Sequence, residues 1–271
     1  YNGKSNLGIN VSAGDRSSPV QIGGNEIMVG FPYISSPVQV STSSWSHVTA
    51  GANNTFAIRS DGGLFSWGSG GSGQLGINST STQRSPAQIG TSSWIQISTT
   101  SSTTGNQAVA AIRSDGGLFA WGLSTFGQLG QNDLINRSSP VQIGTSSWTQ
   151  ASVAINAGAA IKTDGTLWMW GSNANGQLGN NSTTAVSVIY SWVLATSANN
   201  ESFAIRSDGG LFAWGINFNG QLGQNNITHL SSPVQVGTSS WTSVAAGAFY
   251  TAAIRSDGRL FTWGSNLYGV L

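Results

Sequence analysis

Cysteine is absent from this chain, which excludes a disulfide framework and thiolate metal sites and leaves the redox compartment open. Charge is nearly as scarce. Only 7% of the 271 residues are Asp, Glu, Lys or Arg, balanced to a net +1 and scattered along the chain, so there is no electrostatic footprint for nucleic acid or an anionic membrane. No apolar run approaches the roughly 18 residues of a spanning helix, and the first residues lack the basic-then-apolar profile of a signal peptide. The expectation is a soluble molecule with no membrane insertion. The first residue is Tyr1 rather than Met, so a processed chain or a piece of a longer one is also expected.

Gly, Ser, Thr and Asn fill the space that charge leaves, with 38% hydrophobic and 10% aromatic residues. That is enough apolar material for a packed core, and the turn-forming residues imply many short strands. The expected fold class is all-β.

The strands repeat. Trp67, Trp121, Trp170, Trp214 and Trp263 each precede Gly in one recurring unit, at spacings of 54, 49, 44 and 49 residues. The nonapeptide SDGGLFAWG stands at Ser114–Gly122 and again, letter for letter, at Ser207–Gly215. Within each unit PVQI or PVQV is read as the opening strand and WTSVAAG as the second, and FAIRS turns through Asp-Gly-Gly into LFAWG. The Asp-Gly and Gly-Gly steps are expected to supply the positive φ values of a tight hairpin. LFAWG is apolar on both faces, which demands a small sheet covered on both sides. Four-stranded units at a period of 40 to 50 residues predict a β-propeller.

Five units are recognisable over residues 45–271. Residues 1–44 read as a closing-strand segment plus an irregular insertion, with a degenerate sixth blade as the alternative. Tyr1–Gly8 (YNGKSNLG) is in phase with Ser172–Gly179 (SNANGQLG), and Ser265–Leu271 falls in the same phase. That phase is the one a ring would need to complete its last blade with its first segment.

The consensus W-x-x-V-x-x-G, A-I-R-S-D-G-x-L-F-x-W-G, S-N-x-x-G-Q-L-G resembles the repeat of the regulator of chromosome condensation family over Trp45–Leu271. The resemblance implies a propeller, commonly of seven blades, so five units mean a smaller ring or part of a larger one. It also implies nucleotide exchange on a small nuclear GTPase and chromatin binding. Those activities would require charged surface loops, which this chain lacks, so the fold is expected to transfer and the activity is not.

The residues offer little chemistry. Asp61, Asp115, Asp164, Asp208 and Asp257 share one turn position, where Asp caps the backbone. Asp15, Asp133, Glu26 and Glu201 show no acid–base spacing. Arg59, Arg113, Lys162, Arg206 and Arg255 each stand two residues before a turn Asp; a local ion pair is the expectation, and a basic ring for an anion is the rival. His47 and His229 lack partners at metal or triad spacing. Gly68, Gly70 and Gly73 satisfy G-x-G-x-x-G, but no helix is expected to follow, so no dinucleotide site is expected. N-x-S/T triplets, beginning for example at Asn10 and Asn226, matter only in a eukaryotic secretory setting. No catalysis, cofactor or metal is expected.

Binding is expected where the period breaks. Gly24–Ile34 brings Met28, Phe31 and Tyr33, which either anchor a partner or plug the ring or seal a blade. Phe126, Phe218 and Tyr268 occupy neighbouring positions in the loop after Trp-Gly, where aromatics either meet a protein or glycan or pack between blades. Ser101–Gln107 is a Ser/Thr-rich insertion and is read as a mobile loop. The sequence reading is a non-enzymatic module that binds a protein or glycan, displayed on a microbial or viral surface. An exchange-factor-like regulator and a lectin-like binder are its rivals.

Overall fold

The structure is a computed structural model that describes residues 15–16, 33–34, 39–100, 107–179, 187–188, 192–198, 200–267 and 269. Every regular element among them is a β-strand. Two short strands, β1 (Asp15–Arg16) and β2 (Tyr33–Ile34), pair in parallel. Everything after them is antiparallel.

Blade one consists of β3 (Trp45–Ala50), β4 (Asn54–Arg59), β5 (Gly63–Gly68) and the first part of β6 (Gln83–Thr99). The rest of β6 opens blade two, followed by β7 (Ala108–Arg113), β8 (Leu118–Gly122) and β9 (Arg137–Gln142). Blade three is β10 (Trp148–Val153), β11 (Ala157–Lys162), β12 (Leu167–Gly171) and β13 (Ser187–Val188). Blade four is β14 (Trp192–Ala198), β15 (Glu201–Arg206), β16 (Gly210–Gly215) and the first part of β17 (Leu230–Ala246). The second part of β17 pairs with β18 (Tyr250–Arg255), and β18 with β19 (Leu260–Gly264), as blade five.

This order corrects the expected unit. The Pro-Val-Gln strand closes the preceding blade instead of opening its own: Gln88 and Ala87 pair with Phe65 and Ser66, Gln142 and Val141 with Phe119 and Ala120, and Gln235 and Val234 with Phe212 and Ala213. The physical reason is strand polarity. LFAWG still has one free edge after the hairpin, and the next segment to run antiparallel to it is Pro-Val-Gln.

The chain divides into two compact units, Tyr1–Leu123 with Ile135–Ile143 and Ser124–Leu134 with Gly144–Leu271. In the first, Phe56, Ile58, Leu64 and Ile89 of blade one pack against Trp94, Val109, Ala111 and Trp121 of blade two. In the second, one core lies between blades three and four and another between blades four and five, around Trp192, Ala204 and Trp214 and around Phe203, Leu211 and Trp241. Within each unit neighbouring sheets bury their facing sides against one another, and blade four, packed on both sides, has central strands without polar alternation.

The GQLG motif clamps neighbouring blades. Trp121 Nε1 donates to the Gln74 carbonyl at 2.9 Å in the first unit. In the second, Trp170, Trp214 and Trp263 donate to the carbonyls of Gln128, Gln177 and Gln221 at 2.8, 2.7 and 2.8 Å. The last glycine of the motif has φ near 66°, and a Cβ on Gly179 would stand 2.7 Å from Trp214 Nε1. Only glycine combines that backbone with that close approach.

Candidate protein-docking rim

Strand direction sorts the connections of each blade to its two ends. The Asp-Gly turns lie at one end, the turn end. The hairpins after the first strand and the loops after Trp-Gly lie at the other, the loop end.

At the turn end the recurring nonapeptide is fully engaged. Gly62 N–H closes a turn onto the Arg59 carbonyl at 2.8 Å, and Gly62 takes φ 89°. Ser60 and Asp61 form the centre of the turn, and the positive φ falls on the first glycine alone, a turn plus a glycine bulge rather than a two-residue hairpin. Asp61 accepts from Gly63 N–H at 3.1 Å and pairs with Arg59 at 2.6 Å. Asp115 and Arg113 pair the same way, and Asp208–Arg206 and Asp257–Arg255 both close at 2.6 Å. The arginine hydrogen bond first, then the backbone N–H, holds Asp61, Asp115 and Asp208 down to about 2. Each of these arginines also lies over a phenylalanine, as Arg206 does over Phe212 at 4.9 Å, and that ring meets Trp192 edge-on at 5.2 Å. The third repeat departs: Lys162 stands 3.8 Å from the centre of the Trp168 ring, and Asp164 takes the Thr166 hydroxyl.

The loop end of the second unit has the opposite character. Phe126 is 42% exposed and Phe218 67% exposed, so neither packs between blades. Leu134, Ile227, Phe249 and Leu267 are exposed beside them in sequence or at the same end. Among the described residues of this end no Lys or Arg is present, and the carboxylates are the half-buried Asp133 and the buried Glu201. Tyr268, Met28 and Phe31 lie outside the described residues, as does most of the Ser101–Gln107 insertion; Tyr33 belongs to the backbone pair β1–β2.

The Phe218 loop is built, not slack. Gln221 Oε1 accepts from Asn219 N–H at 2.9 Å, and Asn217 uses both ends of its amide, donating to the carbonyls of Asn226 and Thr228 and accepting from Leu222 N–H. Asn217 N–H donates to His229 Nδ1 at 3.0 Å, and the His229 ring meets Phe218 edge-on at 4.2 Å. Sequence reasoning left His229 unassigned because its partners are backbone and a ring. Beside this loop an apolar cleft of about 600 Å³ runs along the edge of β19 that is unpaired among the described residues, where blades one, two and four carry a fourth strand; it is lined by Ile227, Val236, Trp241, Phe261 and Trp263, with Asn219, Asn225 and Asn226 at its polar edge. A fixed aromatic with flanking aliphatics suits a partner's apolar side chains.

One carboxyl without acid–base spacing gains a special setting in the fold. Glu201, 2% exposed, stands where the other repeats carry Asn54, Ala108, Ala157 and Tyr250. Burial pushes it up to about 8. Its only signal in the sequence is a charge at a position that is otherwise neutral.

The family model for the regulator of chromosome condensation (RCC1) repeat matches residues 61–106, 115–161, 164–192 and 208–254, and a second model of the same repeat matches 45–74 and 241–270. The chain belongs to this family. Among curated RCC1-repeat proteins it is 35% identical over 98 residues to the probable E3 ubiquitin-protein ligase HERC4 of Homo sapiens, an overlap of 36% of this chain and 9% of that one. The chain thus matches only a small part of that relative. Among solved structures it superposes on human WBSCR16 with a TM-score of 0.75 at 20% identity, covering 90% of this chain and 69% of the other. Prp20p of Saccharomyces cerevisiae, characterised with its binding to Gsp1p and histones, gives 0.69 at 21%, covering 81% and 57%. These likenesses carry the fold, a β-propeller of RCC1 repeats.

Proposed function

We propose that this RCC1-repeat propeller works by binding a protein through the loop end of its second unit, and performs no chemistry of its own. The observation that carries the reading is the exposed, structurally fixed Phe218 at the same end as the exposed Ile227, Phe249 and Leu267, an end almost free of charge. Its carboxylates support the same reading: those of the turns are occupied by arginine, hydroxyl or backbone partners, which leaves none of them free to move a proton in catalysis. The RCC1-repeat relatives include a protein studied for binding to Gsp1p and histones, which favours a protein over a glycan as the partner.

The test places a photo-crosslinking phenylalanine analogue at position 218 and, in a second protein, at the exposed turn-end position 259. A discrete adduct from position 218, absent from 259 and lost on adding Phe126→Ala and Ile227→Ala, is the expected result. Equal adducts from both ends would sink the reading. Two further assays separate its rivals: accelerated nucleotide release from a small GTPase would favour an exchange factor, and glycan-array binding abolished by Phe218→Ala would favour a lectin.

A further inference from the structure

Glu201 begins β15 at the loop end of blade four, with one oxygen accepting from Asn200 N–H at 3.2 Å and the other, Oε1, buried without a hydrogen-bond partner. Asn200 is a junction. Its side-chain oxygen accepts from Asn156 Nδ2 of the third repeat at 2.9 Å, and its carbonyl accepts from Ile216 N–H at 3.0 Å. Ile216 leads into Asn217 and Phe218, so an unbroken series of bonds runs from the Glu201 carboxyl to the aromatic loop.

Among the described residues no compensating charge sits nearby. The two strands flanking Glu201 in its sheet, β14 and β16, carry no titratable side chain, and neither do residues 154–156 and 172–179 of the third repeat. The one titratable group on the loop at the far end of the series is His229, which faces Phe218 and Asn217. An ionised carboxylate with an unpaired buried oxygen is costly, whereas a neutral carboxyl is tolerated there. Resting on the loop end as the docking surface, we propose that Glu201 is a proton-operated latch for the Phe218 loop. Protonated, it stays in the blade and holds the Asn200 turn; deprotonated, it turns out toward water, releases Asn200 N–H and loosens the contact to Ile216.

The chain has two glutamates, Glu26 and Glu201, so selective ¹³C-glutamate labelling of the full chain gives two side-chain carboxyl signals to follow by NMR. The expected result is one signal with a midpoint near pH 8, missing in Glu201→Gln, and backbone amide signals of Asn200, Ile216 and Phe218 that shift with the same midpoint in the parent and stay still in the variant. His229→Gln keeps the carboxyl and is expected to keep that transition, so the latch can be judged even if Glu201→Gln does not fold. A Glu201 midpoint in the ordinary carboxylate range, amides at 216 and 218 that ignore it, or loss of the transition in His229→Gln would each overturn the proposal. No partner is needed for this readout. It therefore stands or falls separately from the crosslinking test.

Discussion

The two ends of a blade differ in what repetition is used for. At the turn end four repeats carry the same Asp–Arg–Phe–Trp arrangement, with each charge neutralised by its own neighbour and each ring engaged. At the loop end of the second unit the backbone frame recurs, but the side chains it presents do not: Phe126, Phe218, Ile227 and Leu267 each occur in a different setting. Identical turns make the strands return in register; unlike loops give the frame a surface of its own. A repeat protein can vary the second without disturbing the first only if the frame is held by other residues, here the tryptophan–GQLG clamp.

The sharpest break of that comparison is a methyl group placed at each end. Gly179→Ala puts Cβ 2.7 Å from Trp214 Nε1 at a φ of 66°, so both backbone strain and displacement of a buried indole follow. A loss of about 3 kcal/mol or more is expected in urea unfolding. Gly258→Ala at the turn end shares the positive φ, 82°, but meets nothing within 4 Å. There the cost is expected to be about 1 to 2 kcal/mol, from the backbone alone. Equal losses would refute the view that the clamp, and not the turn, joins neighbouring blades.

A second break concerns pH. Glu201 in the folded protein titrates near 8, against an ordinary value of 4.5. Between those values the folded chain holds a proton that the unfolded chain has given up, so stability falls as pH rises through that window and levels off above it. The slope is on the order of 1.4 kcal/mol for each pH unit at its steepest. Glu201→Gln is expected to flatten this dependence and to raise the melting temperature at pH 8 while leaving it little changed at pH 4.5. A variant that melts below the parent at pH 8 would show that the carboxyl has a charged partner after all.

Much of the frame was legible in the sequence because its causes are local. A turn that needs Asp at one position and Gly at the next writes itself five times, and a glycine pressed against an indole writes GQLG. The partner strand of LFAWG was misread because Pro-Val-Gln is equally well formed as a first or a last strand; which blade it joins is settled by strand polarity across a loop of variable length. Phe218 was recognised as a candidate, but its exposure depends on His229 and Asn217 eleven or twelve residues apart, a contact without a periodic signature. Glu201 was passed over because a lone carboxylate carries no spacing, and its burial comes from the sheets around it.

The smallest effect is expected where the turn end departs from its own rule. In the third repeat Lys162 lies over Trp168 and leaves Asp164 to the Thr166 hydroxyl and backbone N–H, which lower its pKa without an arginine pair. Lys162→Arg supplies the planar donor that the other four turns use, while keeping the charge and the ring contact. Asp164 should then titrate lower than in the parent, in the direction that the arginine bonds already take Asp61, Asp115 and Asp208. A carboxylate depressed in the folded state adds stability above its unfolded value and loses it as pH falls toward the folded one. The variant should therefore be a little more stable than the parent at pH 7 and lose that advantage as pH falls below about 4, as read by thermal melts from pH 7 to pH 2. If variant and parent differ by the same amount at pH 7 and in acid, the arginine pairs at the other turns set side-chain geometry alone, and the uniformity of the turn end belongs to the backbone.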